Sequence, residues 1–344
     1  MPFRLSAKTV KAQLTYDLIG KDSQRGITLS YGWLANQCGH CMLGYIPTHL
    51  IYLLLHYCFK LDSATWLSAL IVSLIWTIFE YINVRKPLKK QKEEGALFEP
   101  DWANIIHDTV TDLGFFILGA LLAAIVLGGS WILSIILLVL CLFLYPASKK
   151  WYHTKIFQQA AEYPIQFRLS QWKWKMNDND KEKVLAFIQQ KQSGKHLLIS
   201  GEYKTGKTSL SVAIANELSI QHYACKYTTA IKLFSSFVEA DTIEPQVPGN
   251  IWGWRKAHYL VIDDINTGLP GASELISPET FHKHLQSGTY GTENINALKR
   301  LNVIWVLGDV SSIGVMSLQS TWKQMLHQLG ILPEYITHIH LNRS

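Results

Sequence analysis

The chain has 344 residues, of which 48% are apolar and only 17% are charged, and its formal net charge is +6. Its length has room for about two domains. The charged fraction lies below the roughly 25% of an average soluble protein, and the apolar excess falls mainly between Met42 and Tyr145. We therefore expect an apolar region next to an ordinary globular one. Neither a cleaved signal peptide nor a disulfide framework is expected, because the first thirty residues lack an apolar core and the five cysteines are scattered.

Four apolar runs approach the roughly 20 residues that a helix needs to cross a bilayer. They are Met42–Phe59, Ala64–Val84, Leu113–Leu127 and Trp131–Tyr145. Lysine and arginine cluster before the first run, between the second and third, and after the fourth, whereas the two opposite loops hold only Lys60. This bias predicts an integral protein of the inner (cytoplasmic) membrane with four spans and both termini in the cytoplasm. The alternative is a buried helical bundle of a soluble protein.

Several ionisable residues accompany the apolar runs. His40 precedes the first run and Glu80 lies near the end of the second, while His107, Asp108 and Asp112 lead into the third. The four-residue spacing of the two aspartates places them on one helix face, where they could meet Glu80 or His40. A metal or proton site is one interpretation, and caps and hydrogen bonds between helices are the more expected one. The pattern GH, span-end Glu and DxxxDxG resembles small VanZ-like membrane proteins.

Two motifs near the membrane have weaker interpretations. Cys38-Gly39-His40-Cys41 spells a redox motif, but a low thiol pKa in that motif needs a thioredoxin-like strand and helix, and here an apolar run follows. Trp151, Trp172 and Trp174 alternate with lysines after the fourth run. These tryptophans are expected to lie on lipid headgroups or, less readily, to stack on nucleic-acid bases.

Beyond residue 180, strand and helix patterns alternate. The predicted strands are His196–Gly201, residues 222–229, Tyr259–Asp264, Asn302–Gly308 and Ile336–Leu341, and the predicted helices include Lys207–Ser219, Ala230–Ala240 and Leu318–Gly330. This alternation predicts a five-stranded parallel sheet covered on both faces. The fold class is therefore α/β, with an all-α four-helix transmembrane domain before it.

The residues GEYKTGKT, Gly201 to Thr208, match GxxxxGK[ST] between a strand and a helix. In that context the motif predicts a phosphate-binding loop, because its glycines let backbone N–H groups surround phosphates at a helix N-terminus. Lys207 is expected to reach the β- and γ-phosphates of ATP, and Thr208 to hold Mg²⁺. The expected nucleotide-binding residues are Gly201, Tyr203, Lys204, Thr205, Gly206, Lys207, Thr208 and Ser209.

A second motif, YLVIDDI, supports this prediction. Its apolar strand leads into Asp263, expected to anchor the Mg²⁺ shell, and into Asp264, placed to polarise an attacking water. Asp309 follows the next predicted strand, where a sensor of the γ-phosphate is expected. An acidic sensor is unusual, as is aspartate rather than glutamate at the position of Asp264.

The order of these motifs resembles the AAA+ superfamily of additional-strand ATPases, and in particular its helicase-loader and transposition-helper branch. The resemblance covers about Gln171 to Leu341 and rests on LLISGEYKTGKTSLSVAIANEL, YTTAIKLFSSF and YLVIDDI. It implies ATP and Mg²⁺ as cofactors, a homo-oligomer, and DNA or a protein as partner. The sequence does not place an arginine finger that acts on a neighbouring subunit, although Arg255, Lys299 and Arg300 are available.

We divide the chain into an N-terminal cytoplasmic segment (1–41), a transmembrane domain (42–147), a linker (148–180) and an ATPase domain (181–344). The expected function is ATP hydrolysis coupled to DNA or protein handling at the membrane. The alternative is a membrane effector, of a defence type, whose helices are gated by nucleotide. A transporter is disfavoured because the LSGGQ signature of ABC transporters is missing from the sequence.

Overall fold

A computed structural model describes residues 3–19, 26–94, 97–190, 192–240, 251–266, 276–308 and 318–342. The chain divides into two compact units. The first, called here the sheet unit, comprises Met1–Tyr16, Leu97–Glu99 and Ile156–Ser344. The second, called the helical unit, comprises Asp17–Ala96 and Pro100–Lys155. Each unit is therefore built from segments that are separated in the sequence.

The helical unit is built on long apolar helices. After a first helix, α1 (Ala7–Ile19), the chain forms α2 (Leu29–Leu53, continued by a π-helical turn at Leu54–Cys58), α3 (Ala64–Glu94), α4 (Trp102–Gly128) and α5 (Trp131–Ala160). Within the described residues, the four helices from α2 to α5 are long and apolar enough to cross a membrane. The prediction of four apolar helices is confirmed at this level.

The helices are longer than the predicted apolar runs. α2 begins at Leu29 because the Thr28 side chain accepts a hydrogen bond from the Tyr31 N–H, and α4 begins at Trp102 because Asp101 caps the Asn104 N–H. α5 continues past Tyr145 to Ala160. The CGHC motif therefore lies inside α2, where Cys38 and Cys41 are free thiols.

Glycines bring α2 and α4 close together. A Cβ added to Gly119 would lie 1.8 Å from the carbonyl oxygen of Cys41, and one added to Gly44 would lie 2.0 Å from that of Phe116. Trp76 of α3 stacks on Phe116 with ring centroids 4.0 Å apart, and its indole N–H donates to the carbonyl oxygen of Leu43. Small residues thus allow backbone contact, and one aromatic stack adds the third helix.

The sheet unit contains, within its described residues, a five-stranded parallel sheet. Its strands are β1 (His196–Gly201), β2 (Cys225–Thr229), β3 (Tyr259–Asp263), β4 (Asn302–Gly308) and β5 (Ile336–Leu341), in the order β2-β3-β4-β1-β5. Every residue of β1, β3 and β4 is buried, so both faces of the sheet centre are covered. The predicted α/β fold with five parallel strands is confirmed.

Six helices of the sheet unit follow α5 within the described residues. They are α6 (Asp178–Gln189), α7 (Lys207–Ile220), α8 (Ala230–Phe237), α9 (Pro278–Gln286), α10 (Gly291–Arg300) and α11 (Leu318–Gln328). The N-terminal segment also belongs to this unit: the Phe3 N–H donates to the carbonyl oxygen of His222, and its ring packs 5.2 Å from that of Trp252.

Candidate functional site

The loop between β1 and α7 has the backbone shape that its glycines predict. Gly201 has φ of 154° and Gly206 has φ of 83°, both in the region where glycine is favoured. A side chain at Gly201 would lie 2.4 Å from the carbonyl oxygen of Leu341, at the end of β5. α7 begins at Lys207, so the free N–H groups of its first turn lie at the end of the loop.

Hydrogen bonds inside the loop hold its polar side chains. Thr205 donates to the carbonyl oxygen of Glu202 at 2.9 Å, and the Lys207 ammonium donates to the same oxygen. The Ser209 hydroxyl donates to the carbonyl oxygen of Gly206 at 3.0 Å. Thr208 lies in the first turn of α7. The ammonium group and the helix N-terminus together make the loop a favourable place for anionic oxygens.

Two further predicted residues lie on the outside of the loop. Tyr203 is 48% exposed, and the Lys204 ammonium lies 5.4 Å from the centre of its ring. Lys204 has φ of 65°, an uncommon value for a residue with a side chain. The predicted phosphate-binding residues therefore run from the last residue of β1, through the loop, to the first turn of α7.

Asp263 is the last residue of β3. It lies at the same end of the sheet as the loop after β1, because the carboxyl ends of parallel strands lie side by side. Its side chain is buried and accepts two hydrogen bonds, from the Tyr227 hydroxyl at 2.9 Å and from the Asp264 N–H at 2.8 Å. One bond reaches each carboxylate oxygen, so the orientation of the carboxylate is fixed. Tyr227, on the neighbouring strand β2, was not predicted from the sequence.

Asp264 has φ of 53°, a left-handed conformation at the turn that follows β3. Partial burial and the neighbouring carboxylate of Asp263 both raise the pKa of Asp264 above its ordinary value. A raised pKa makes a carboxylate a better proton acceptor near neutral pH. These features suit the role that the motif predicts for this residue.

β4 lies between β1 and β3, and Gly308 at its end pairs in register with Gly201. The Gly308 N–H donates to the side-chain oxygen of Asn266, which joins the end of β4 to the turn after β3. Asn266 was not predicted either. Asp309, the predicted sensor, lies outside the described residues.

The candidate arginine finger at Arg255 is corrected by the structure. Its side chain is 5% exposed and donates to Asn294 at 2.8 Å and to the carbonyl oxygens of Ser236 and Phe237. A guanidinium that is committed to a buried network cannot reach into a neighbouring subunit. Lys299 and Arg300, at the end of α10, are exposed.

Two of the tryptophans in the predicted linker are also corrected. Trp151 is 4% exposed and Trp172 is 1% exposed, so neither lies on a surface that could meet headgroups or bases. Trp151 lies in α5, and Trp172 belongs to the core of the sheet unit. Their apolar rings fill the interior of each unit instead.

The polar residues of the helical unit pair across helices. Gln37 of α2 donates to Asp112 of α4 at 2.9 Å, and His40 lies 3.3 Å from the same carboxylate. The His107 ring packs 5.4 Å from that of Trp151, while Asp108 lies one turn before Asp112 and Glu80 lies in α3. Among the residues that the structure describes, no group of three metal-binding side chains is assembled. The geometry favours the interpretation as hydrogen bonds between helices.

Comparisons with known proteins add little to this geometry. No protein-family model matches the chain, and no curated protein matches it. One similar solved structure is described as the crystal structure of DnaI; it has a TM-score of 0.32 and 19% sequence identity, and the match covers 54% of this chain and 97% of that one. An overlay at this TM-score carries no weight for fold or function. The strand order and the loop between β1 and α7 instead define the class of the sheet unit, a P-loop NTPase-like α/β fold.

Proposed function

We propose that this protein is a membrane-anchored, AAA+-like ATPase that binds and hydrolyses ATP. The observation that carries the proposal is the joint placement of two motifs: the Gly201–Thr208 loop precedes α7, and Asp263 and Asp264 end β3 at the same edge of the sheet. A phosphate cradle next to paired carboxylates is the arrangement that phosphoryl transfer requires.

Each residue then has a role. Lys207 and the N–H groups of the loop bind the phosphates. Thr208 and Asp263 would hold a magnesium ion, because both offer oxygen atoms, and the two hydrogen bonds to Asp263 fix the orientation of its carboxylate. Magnesium, when bound, neutralises charge on the phosphates. Asp264 orients the attacking water and accepts its proton, and Asp309 senses the γ-phosphate.

The helical unit anchors the ATPase in the proposal. Its four long apolar helices cross the bilayer, and the bias of lysine and arginine places both termini and the sheet unit in the cytoplasm. ATP sites of the resembled family are completed between subunits, so the protein assembles as a homo-oligomer. Lys299 or Arg300, both exposed, supplies the finger.

The resemblance to helicase loaders and transposition helpers suggests that ATP turnover is coupled to DNA or protein handling at the membrane. A second function is favoured by the helical unit itself. Four apolar helices exceed what a simple anchor requires, so nucleotide could instead gate the membrane helices as an effector. DNA-stimulated turnover supports the first function, and ion leakage from vesicles that depends on Lys207 supports the second.

The test is ATP hydrolysis by the full chain purified in detergent, with Mg²⁺ and with single-stranded, double-stranded or no DNA. Lys207→Ala is expected to abolish nucleotide binding, whereas Asp264→Asn keeps binding and loses turnover. Lys256→Ala, an exposed lysine before β3 in the same unit, is the matched control and keeps wild-type activity. Wild-type turnover that survives both Lys207→Ala and Asp264→Asn would contradict the assignment of the site.

A further inference from the structure

The short segment Leu97–Glu99 belongs to the sheet unit, although in the chain it lies between α3 and α4. Phe98, its central residue, is 2% exposed and is part of the core that also contains β1 and α7 residues. A buried aromatic ring of this size anchors the segment in the core of the sheet unit.

Phe98 packs on a tryptophan that touches the phosphate loop. Its ring lies 6.2 Å from that of Trp172, in an edge-to-face arrangement. The indole N–H of Trp172 donates to the carbonyl oxygen of Gly206 at 3.1 Å. Gly206 is the residue just before α7, so this hydrogen bond holds the peptide group at the start of the helix.

A second tryptophan covers the same glycine. The Trp174 ring lies 5.6 Å from that of Trp172, and three of its atoms would lie 2.6 to 2.9 Å from a Cβ added to Gly206. Gly206 keeps its left-handed φ of 83° against this ring. We call Phe98, Trp172 and Trp174 the aromatic brace, because they hold the last glycine of the loop from outside the motif.

We propose that the aromatic brace positions the phosphate loop, so that the segment between α3 and α4 responds to bound nucleotide. The inference rests on the proposed function. Phosphate binding requires the loop N–H groups to point in one direction, and that direction depends on the conformation of Gly206. Because protein interiors are close-packed, a shift of Gly206 on binding displaces Trp172 and with it Phe98.

Only a few residues join Phe98 to the end of α3 at Glu94 and to the start of α4 at Trp102. The segment that responds to the nucleotide is therefore the connection between these two helices in the chain.

The first experiment measures the affinity of the full chain in detergent for a fluorescent ATP analogue. Trp172→Phe keeps an aromatic ring but removes the donor to Gly206, so the affinity is expected to fall about five- to tenfold, as for one hydrogen bond. Phe98→Leu is expected to weaken binding in the same direction. Phe281→Leu is the control, because Phe281 is fully buried in the same unit but packs on Trp305 and Trp322, away from the brace.

Thermal unfolding without nucleotide separates positioning from stability. If the brace positions the loop, Trp172→Phe will lose more affinity for the ATP analogue than Phe281→Leu, even when the two variants have the same loss of unfolding temperature. Equal affinities for Trp172→Phe and the wild type, with ATP bound normally, overturn the inference and leave the proposed function intact. A wild-type chain that binds no ATP overturns the proposed function and the inference together.

Hydrogen exchange tests the response of the segment itself. ATP is expected to slow amide exchange in the peptide that contains Leu97–Glu99 in the wild type, by at least about twofold. The effect disappears in Lys207→Ala, which lacks nucleotide binding, and shrinks in Trp172→Phe. An exchange rate that ATP leaves unchanged in the wild type, while the loop peptide is protected, overturns the proposed response.

Discussion

The two units place the same kind of side chain in opposite surroundings. In the sheet unit, Ile199 of β1 and Trp305 of β4 are fully buried, whereas Leu142 and Phe143 of α5 in the helical unit are 68% and 61% exposed. Apolar surface in water costs roughly 25 cal/mol per Å². The exposed face of α5 would be unfavourable in water, and this helix is long and apolar enough to cross a membrane.

Polar groups differ in the same way. The sheet unit collects Lys207, Asp263 and Asp264 at the end of the sheet where its parallel strands have their carboxyl ends. In the helical unit, by contrast, Gln37 donates a hydrogen bond to Asp112. The polar groups of the sheet unit thus lie at the carboxyl ends of its strands, whereas those of the helical unit pair between helices, because a buried polar group without a partner is costly.

The strongest test of the comparison breaks the helical unit alone. Gly119→Ala drives a methyl group into the backbone of Cys41, so we expect a loss of about 4 kcal/mol or more in its stability. Thermal unfolding in detergent measures the effect. Gly39→Ala is the matched control, since nothing lies within 4 Å of a Cβ at that position of α2. Equal unfolding temperatures for the two variants would contradict the close contact of α2 and α4.

The second test acts on the sheet unit through pH. Burial lowers the pKa of His196 to about 3, and its Nδ1 accepts from the Trp305 indole. Between pH 6.5 and 3 the unfolded chain binds a proton that the folded one excludes, so stability falls as pH drops below 6.5, by about 3 kcal/mol once the pH reaches about 4.3. Denaturant unfolding at several pH values measures this. The slope should flatten in His196→Gln, and an unchanged slope would refute the assignment.

The third test concerns the support of Asp263, the proposed magnesium ligand. Tyr227→Phe removes the hydroxyl that fixes Asp263, which we expect to weaken the Mg²⁺ dependence of ATP hydrolysis about tenfold. Titration of Mg²⁺ against turnover measures the change. Tyr335→Phe serves as the control. Tyr335 comes just before β5 and therefore lies at the amino ends of the strands, away from Asp263. A wild-type response in Tyr227→Phe would show that Asp263 needs no such support.

The smallest effect is expected within the helical unit. Asp112→Asn keeps an acceptor for Gln37 but removes the charge opposite His40, so the loss should be about 1 kcal/mol. Thermal unfolding in detergent detects it, with Asp108→Asn, an exposed position one turn earlier in α4, as a control for loss of charge in that helix. A loss as large as that of Gly119→Ala would mean that the carboxylate does more than join two helices.

The sequence predicts the strands and the phosphate loop well, because both depend on local patterns: apolar runs of strand length, and glycines where the backbone must turn left-handed. It predicts the starts of α2 and α4 poorly. Thr28 and Asp101 cap first turns that contain polar residues, so these turns lie outside the apolar runs that the prediction used. Tyr227, Asn266 and Phe98 escape sequence analysis because their partners lie 36, 42 and 74 positions away. Trp172 is misread as a surface residue for the same reason.

The division of the chain into interleaved units has a consequence for biosynthesis. The N-terminal segment and Leu97–Glu99 leave the ribosome long before residues 156 onward, which complete the sheet unit. Phe3 and Phe98 are therefore synthesised before the residues that they pack on, Trp252 and Trp172, and before the remaining apolar helices are complete. The sheet unit can therefore be completed only after the four apolar helices have been synthesised, and a chain halted before residue 156 would lack the candidate nucleotide site.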